Sequence, residues 1–427
     1  MIRTTIIPCR LKREIADALN LNSGRIYSGM VSRHWRLLKQ KGLWLSEKAL
    51  RKLSDLRLAN KDLPMHAHTI DAAQEGFPKA CKTTRALRKA GFPEAHFPWR
   101  SKKFRTTIWK NTALKFKAGK LELSTGAGNP QLVIALPEAL HGTLQFVEVR
   151  LVYEKRARRY TWHIVVENGK AAKEAPGINI VSVDPGEIHP AVVGDEHSST
   201  VITCRERRAK QRGHARNLKA FSKALARKTK GSKRYRKLVR AKTRCKAKFK
   251  RVMRDIEHKV SRAIVDEAVK RKANTIVYGD IRDIADGVDK GPKHNQRTSQ
   301  WNHGKVRHYV EYKAQAEGLK VVLQAEHYTS QTCPNCQHRH KPSGRTYRCP
   351  VCKFQSHRDV VGQINILSAF KHGAPGQIPA PTNITYRIPH QVRVLRKSLD
   401  TGLVVQTKVA FVPPVAWQNS QPLRLFS

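Results

Sequence analysis

Acidic residues are scarce in this sequence, and no hydrophobic run is long. The 427 residues include 32 Asp and Glu against 83 Lys and Arg, which gives a formal net charge of +51 at pH 7. A surface with such an excess of cations binds polyanions, because each phosphate contact releases counterions. Nucleic acid is therefore the expected partner. An anionic membrane is the alternative, but no apolar stretch approaches the ~18 residues of a spanning helix.

Targeting and disulfide signals are also missing. The N-terminal sequence lacks the continuous apolar stretch and cleavage site of a signal peptide, so we expect a cytoplasmic protein with reduced thiols. Only eight cysteines are present, and four of them lie between positions 333 and 352, which favours metal binding over a disulfide framework. The length of 427 residues predicts two or three domains, and a hydrophobic fraction of 40% supports packed globular structure.

Hydrophobic periodicity divides the first 170 residues into helical and β-rich segments. A short strand is predicted at 2–8, followed by basic helical segments from 11 to about 90. Between 103 and 167 the pattern changes to short β-branched runs separated by Gly and Pro, which is typical of an antiparallel barrel or sandwich. A helical insertion within a β-barrel accounts for the isolated first strand.

The second half of the chain alternates strands and helices, which indicates an α/β layer. Buried strands are predicted at 178–183, 275–278 and 320–325, with 191–193 as a hairpin partner of the first. Between them, residues 205–254 contain 23 Lys and Arg and one acid, Glu206. Like charges at this density destabilise a helix, so phosphate contact is favoured over the alternative of a solvated face.

Two Cys-x-x-Cys pairs form the most specific motif of the chain. Cys333 and Cys336 make the first pair, and Cys349 and Cys352 make the second after a gap of twelve residues. Pairs of this kind hold one structural Zn²⁺ with four thiolates. A disulfide pair or two separate redox motifs are the alternatives.

Two aspartates are candidate functional residues, and one of them, at the end of a buried strand, is costly to bury unless a cation pairs with it. Asp184 ends the first buried strand in the sequence Val-Asp-Pro-Gly, and Asp359 opens a helix just after the second cysteine pair. Considered separately, Asp184 can be a turn residue and Asp359 a helix N-cap or first-turn acid.

Considered together, these features resemble the split RuvC nuclease of the TnpB family. TnpB proteins are transposon-encoded RNA-guided DNA endonucleases related to compact type V CRISPR effectors. The resemblance spans about residues 179–367, and it is sharpest at Tyr-Thr-Ser-Gln-Thr-Cys-Pro-Asn-Cys (328–336) and His-Arg-Asp (357–359). It implies that Asp184 and Asp359 bind metal.

The resemblance also implies a domain organisation. An α/β, RNase H-like RuvC domain is expected at 177–332 and 353–371, with basic helices at 203–272 and a zinc ribbon at 333–352. By order alone, a wedge-like β-barrel is expected at 1–10 and 97–170, carrying a helical recognition lobe at 11–96. No role is assigned to the C-terminal tail, 372–427.

One position departs from the family pattern. The family's second RuvC motif is an apolar strand ending in Glu-Asp, whereas here the strand ends in Gly279-Asp280. Some family members carry a substitute glutamate just before the Tyr-Thr-Ser segment, and Glu326 fits that place. A neighbouring strand can aim Glu326 at the same metals, with room left by Gly279. Asp280 is a second candidate, although side chains alternate along a strand; an inactive site is the third interpretation.

With Asp184, Glu326 and Asp359 as ligands, the resemblance implies a Mg²⁺-dependent endodeoxyribonuclease that uses two ions. It further implies a guide RNA and a double-stranded DNA target. The alternatives are a nuclease-inactive, repressor-like guided binder, a compact type V CRISPR effector, and a DNA-binding transposase accessory without RNA.

The nucleic-acid contacts are expected among six basic residues, of which the last can instead pair with a neighbouring acid: Arg234, Arg236, Lys237, Arg240, Arg244 and Arg358.

Overall fold

The computed structural model describes residues 2–54, 65–141, 145–167, 171–282, 300–389 and 394–396, together with residues 169, 289, 291, 295 and 298. These residues form a mixed α/β fold in two compact units, Met1–Glu174 with Ala209–Asp255, and Ala175–Arg208 with Ile256–Ser427. Among the helices that the structure describes, none combines the length and apolar character that crossing a bilayer requires.

The first unit combines helices with two antiparallel sheets. Its N-terminal helices are α1 (Arg13–Lys41), α2 (Glu47–Ser54) and α3 (Ala67–Lys89). A four-stranded sheet has the order β1 (Ile2–Pro8), β7 (Arg159–Glu167), β6 (Gln145–Glu154), β2 (Thr107–Lys110). A three-stranded sheet has the order β3 (Leu114–Lys117), β4 (Lys120–Leu123), β5 (Leu132–Ala135). Short 3₁₀ turns occupy Asn111–Ala113 and Glu138–Leu140.

The isolated strand predicted at 2–8 is confirmed as β1, which pairs antiparallel with β7 across its whole length. The helical pattern that begins at 11 is interrupted where Gly42 ends α1 in a left-handed conformation, φ 66°, with its N–H bonded to the Leu38 carbonyl. Glycine is favoured at such a helix end because it has no Cβ to oppose a positive φ. The closed barrel itself stays a prediction.

The basic tract forms two consecutive helices, α4 (Arg205–Ala226) and α5 (Lys233–Lys270). His214 of α4 stacks on Phe249 of α5 with ring centroids 3.9 Å apart, and Lys242 Nζ donates to Ser222 Oγ at 2.9 Å. These contacts make the two helices antiparallel. Residues 209–255, which the sequence assigns to the nuclease domain, group with the first unit in the structure.

The second unit is built on a seven-stranded mixed sheet. Its order is β12 (Lys320–Ala325), β11 (Ala273–Asp280), β8 (Asn179–Asp184), β9 (Ala191–Gly194), β10 (Ser198–Ile202), β15 (Asn383–Arg387), β16 (Val394–Arg396). Strands β12, β11 and β8 are parallel, so their carboxyl ends share one edge. Helices α6 (His303–Ala316) and α7 (Arg358–His372), and the hairpin β13 (Thr346–Arg348) and β14 (Gln355–His357), complete the unit.

Strand β15 was not predicted, because it lies in the Pro- and Gln-rich segment to which the sequence assigns no role. It pairs parallel with β10, more than 180 residues earlier in the chain, from Ser198–Asn383 to Ile202–Arg387. This part of the tail therefore belongs to the sheet.

Candidate carboxylate site and four-cysteine cluster

Asp184 and Glu326 meet at the edge where three parallel strands end. Asp184 is the last residue of β8, and Glu326 directly follows β12. Strand β11 lies between them, in a register that pairs Tyr278 with Val183 and Gly279 with Gln324. The carboxyl end of β11 is therefore level with both acids, and position 279 lies beside them.

Gly279 provides the space that Glu326 occupies. A Cβ placed on Gly279 would lie 1.8 Å from Oε1 of Glu326, far closer than a carbon and a non-bonded oxygen can approach. A side chain at 279 and the Glu326 carboxylate are thus mutually exclusive in this arrangement. Asp280, the other candidate, is held by Arg282, whose Nε and Nη2 lie 2.9 and 2.5 Å from the two carboxylate oxygens.

Helix α7 brings Asp359 to the same edge. Asp359 lies in the first turn, and residues 360–368 of α7 are buried, so the helix is embedded in the unit on all sides. A Cβ on Gly362 would lie 2.6 Å from Oδ2 of Asp184. Gly362, one turn after Asp359, therefore lets the helix approach Asp184 closely.

The charges of Glu326 and Asp359 both raise the proton affinity of Asp184. Burial, followed by the negative charges of Glu326 and Asp359, raises the pKa of Asp184 well above its usual range, while Arg358 opposes the shift. Burial and the charge of Asp280 raise the pKa of Glu326 to about 8. Oε1 of Glu326 is buried and has no hydrogen-bond partner among the described residues. An oxygen-rich site of this kind fits hard divalent cations such as Mg²⁺.

Two histidines that the sequence analysis missed adjoin Asp359. Each of His189, His357 and Asp359 offers a ligand atom within 4.8 Å of the others. His357 caps α7, because its Nδ1 accepts the Asp359 N–H at 3.2 Å. Its ring also lies beside Tyr386 of β15, with centroids 6.4 Å apart. Burial lowers the pKa of His189 to about 4, so its ring is neutral at neutral pH.

Asn365 fixes the segment that joins Glu326 to the first cysteine pair. Its Nδ2 donates to the carbonyls of Thr329 and Thr332 at 2.7 and 2.8 Å, and its Oδ1 accepts from the Gly376 N–H at 2.9 Å. One buried side chain of α7 thus holds the 329–332 segment in place. The sequence offered no signal for this role beyond an amide in a buried helical pattern.

The four predicted cysteines come together in one cluster. The Sγ atoms of Cys333 and Cys352 are 3.6 Å apart and those of Cys336 and Cys349 are 3.5 Å apart. These distances exclude disulfides, whose sulfurs are ~2.05 Å apart. They approach the ~3.8 Å expected for thiolates at ~2.3 Å from a tetrahedral ion. The cluster therefore fits a structural zinc site.

Five of the six predicted nucleic-acid contacts are exposed on α5, namely Arg234, Arg236, Lys237, Arg240 and Arg244. Arg358 is different. It is half-buried at the start of α7, its Nη1 lies 3.5 Å from the Gly344 carbonyl oxygen, and its charge lowers the pKa of Asp184. Its charge therefore acts on a neighbouring acid.

Two family models match this chain. The "Cas12f1-like, TNB domain" model covers residues 303–366, and a "Probable transposase" model, OrfB_IS605, covers residues 163–285. The chain is 34% identical over 119 residues to the TnpB-like protein MJ0751 of Methanocaldococcus jannaschii, a match that spans 27% of this chain and 42% of that protein. The predicted resemblance to the TnpB family is confirmed.

Two further relatives extend the comparison. "Putative RNA-guided DNA endonuclease InsQ" of Escherichia coli is 25% identical over 221 residues, 49% of this chain and 54% of that protein. The CRISPR-associated endodeoxyribonuclease Cas12f1 of Sulfoacidibacillus thermotolerans is 30% identical over 112 residues, 26% of this chain and 25% of that protein. The chain thus spans between a quarter and about half of the curated relatives named here.

A solved structure matches over a larger share of the chain. A Cas12f1–sgRNA–target DNA complex aligns with 83% of each chain at a TM-score of 0.56 and 15% identity. At 15% identity, this likeness is evidence for a shared fold and for nothing further. It confirms the predicted α/β class.

Proposed function

We propose that this protein is an RNA-guided DNA endonuclease of the TnpB type, with a nuclease site at Asp184, Glu326 and Asp359. The observation that carries the proposal is the convergence of these carboxylates at one sheet edge, with Glu326 in the volume left by Gly279. Two comparisons support RNA-guided DNA cleavage as the class of activity. InsQ is named a putative RNA-guided DNA endonuclease, and the Cas12f1 neighbour was solved in a complex with sgRNA and target DNA.

In this proposal, the seven-stranded sheet and α7 are the RuvC-like nuclease domain, and the N-terminal sheets and helices are the wedge and recognition lobes. Asp184, Glu326 and Asp359 hold two Mg²⁺, which when bound supply a hydroxide nucleophile and stabilise the leaving oxygen. The protein's own contribution is to concentrate and orient the carboxylates. The register of β11 and β12 and the space at Gly279 position Glu326. Gly362 allows α7 to pack close to Asp184, and Asn365 holds the segment that follows Glu326.

The four cysteines hold one Zn²⁺ in this proposal. The role is structural because four thiolates leave no open coordination position. The cluster encloses both ends of the 333–352 segment, which joins the Glu326 loop to α7.

The exposed cations of α5 bind the phosphate backbone of the guide RNA. The supporting observation is the nearly single sign of residues 205–254, which include α4 and the first part of α5 and contain 23 cations and one acid. Counterion release makes such a surface a nucleic-acid binder without sequence preference, so specificity falls to base pairing by the guide.

A second candidate is a nuclease-inactive guided binder, which the glycine at position 279 favours. One experiment separates the candidates. The protein is expressed with its native flanking locus, the copurified RNA is sequenced, and cleavage of a matching DNA target is measured with and without Mg²⁺. Cleavage that needs both the RNA and Mg²⁺ supports the proposal. Guided binding without cleavage supports the second candidate, and a preparation without RNA contradicts both.

A further inference from the structure

His189 is held at the carboxylate site by a short closed loop. The loop leaves β8 at Asp184 and returns where the Gly186 N–H contacts the Pro190 carbonyl at 3.4 Å. A Cβ on Gly186 would lie 2.4 Å from the His189 carbonyl oxygen, so the turn leaves no room for a larger residue. The imidazole consequently has a defined place beside Asp359 and His357.

Arg345 determines which ring nitrogen of His189 carries the proton. Its Nη1 lies 3.1 Å from His189 Nε2. A guanidinium only donates hydrogen bonds, so Nε2 must be the accepting nitrogen. A neutral imidazole has one N–H and one accepting nitrogen, and the proton is therefore on Nδ1.

The Nδ1 atom of His189 is buried and has no hydrogen-bond partner among the residues that the structure describes. A buried donor without an acceptor is costly, and the rare cases in native proteins call for a missing partner. His189 adjoins Asp359 in a site that we propose to cut phosphodiesters. We propose that His189 is a further catalytic residue, whose Nδ1–H donates a hydrogen bond to an oxygen of the scissile phosphate.

A transition-metal site is the competing interpretation, because two histidines and a carboxylate within 4.8 Å resemble a metal triad. Metal-binding histidines, however, donate their second N–H to an acceptor. At His189 the partner is a donor instead, because Arg345 lies at Nε2. This contact favours a hydrogen-bond donor over a metal ligand at His189.

The inference rests on the proposed nuclease function, and single-turnover cleavage with the RNA-loaded protein tests both. His189→Ala should lower the cleavage rate about 10²-fold, as expected for one donor to developing charge. Target affinity should be unchanged. His189→Asn should recover most of the rate because its amide nitrogen replaces Nδ1, whereas His189→Gln, whose amide replaces Nε2, should resemble alanine.

Arg345 variants test the tautomer independently. Arg345→Lys keeps a donor at Nε2 and should stay close to wild type, whereas Arg345→Glu offers an acceptor, moves the proton to Nε2 and should resemble His189→Ala. Histidine ¹⁵N spectra of the full chain, assigned by comparison with His189→Asn, should place the proton on Nδ1. Thermal unfolding and guided binding identify any variant that fails to fold.

The outcomes separate the two proposals. If wild-type protein does not cleave, the nuclease function fails and the role of His189 falls with it. If wild type cleaves and His189→Ala cleaves equally fast, only the role of His189 is overturned. A proton found on Nε2, or Co²⁺ absorption bands that disappear in His189→Ala, would establish the metal-ligand interpretation instead.

Discussion

The basic helices and the carboxylate edge are two charged regions built in opposite ways. The cations of α5 are close together in sequence and exposed, so we expect each to contribute a small and replaceable share of phosphate binding. Asp184, Glu326 and Asp359 come from three distant segments and meet in a crowded, partly buried site. Nucleic-acid binding by the first region should tolerate single substitutions. Cleavage at the second region should be lost when a single carboxylate is displaced.

The strongest test of this contrast removes a carboxylate. Asp184→Ala and Glu326→Ala should each lower Mg²⁺-dependent cleavage by several orders of magnitude, because a two-ion site does not survive the loss of a ligand. Guided DNA binding should persist. The matched control is Asp280→Ala, which should cleave at nearly the wild-type rate because Arg282 already holds that carboxylate. Equal losses in the control would mean that the acid was assigned to the wrong residue.

Exchange of the glutamate sharpens this test. Gly279→Glu alone should clash with Glu326 and abolish cleavage, whereas Gly279→Glu combined with Glu326→Ala should restore part of the activity by moving the carboxylate to the neighbouring strand. Cleavage by Gly279→Glu protein from an inactive parent would instead show that the nuclease had been lost.

Loss of a cysteine should affect folding as well as activity. Cys336→Ser removes one of four clustered thiolates, so we expect loss of the bound zinc and of soluble yield. Cys245→Ser, at a free cysteine of α5, is the control and should keep the metal. Metal analysis of purified protein provides the measurement, and normally folded zinc-free protein would reject the zinc assignment.

A single methyl group should also disrupt the carboxylate edge. Gly362→Ala places a Cβ 2.6 Å from Asp184 Oδ2, which must then move, and displacements of this size cost ~10²-fold in rate. Gly213→Ala on α4 is the matched control, since nothing lies within 4 Å of its Cβ and alanine favours a helix. Thermal unfolding should show whether any loss at 362 is catalytic rather than structural. Unimpaired cleavage by Gly362→Ala would place Asp184 outside the catalytic contacts.

The contrast also explains how much could be predicted. Strand β12 was predicted at the residues observed and β8 within one residue, because continuous apolar runs mark buried strands locally. The family order then pointed to Asp184, Glu326 and Asp359 as metal ligands, and that assignment stays a prediction. Neither β15 nor His189 was found, because one depends on pairing with a strand far away in sequence and the other on a loop that folds back. Local patterns carry no record of such contacts.

RNA binding by the basic helices should depend on the number of positive charges and not on whether each is Arg or Lys. Replacing Arg234, Arg236 and Lys237 with Gln should weaken RNA binding about tenfold at moderate salt, and the slope of log affinity against log salt should fall by about 2 to 3. The control, Arg234→Lys with Arg236→Lys, keeps the charge and should retain the slope. A slope that does not change in the Gln variant would mean that these side chains are only solvated.

The smallest expected effect is on the pH dependence of stability, in which Glu326 and Asp280 should behave differently. In metal-free protein the pKa of Glu326 rises from about 4.5 in the unfolded chain to about 8 in the fold, so between these values the native state binds more protons. The free energy of unfolding must then fall as pH rises through this range. Glu326→Gln removes this contribution. As pH rises through this range, the melting temperature of Glu326→Gln should therefore fall by a few degrees less than that of wild type.

The pKa of Asp280 is lowered by Arg282, so its own contribution is lost only at acidic pH. Asp280→Asn should reduce the slope between pH 5 and 8 less than Glu326→Gln does, because it removes only the part of the Glu326 shift that the charge of Asp280 causes. Saturating Mg²⁺ should reduce the difference between wild type and Glu326→Gln, because a bound cation stabilises the charged carboxylates. If the melting temperatures of wild type and Glu326→Gln change with pH in the same way without metal, then Glu326 is solvated and does not belong to the carboxylate cluster.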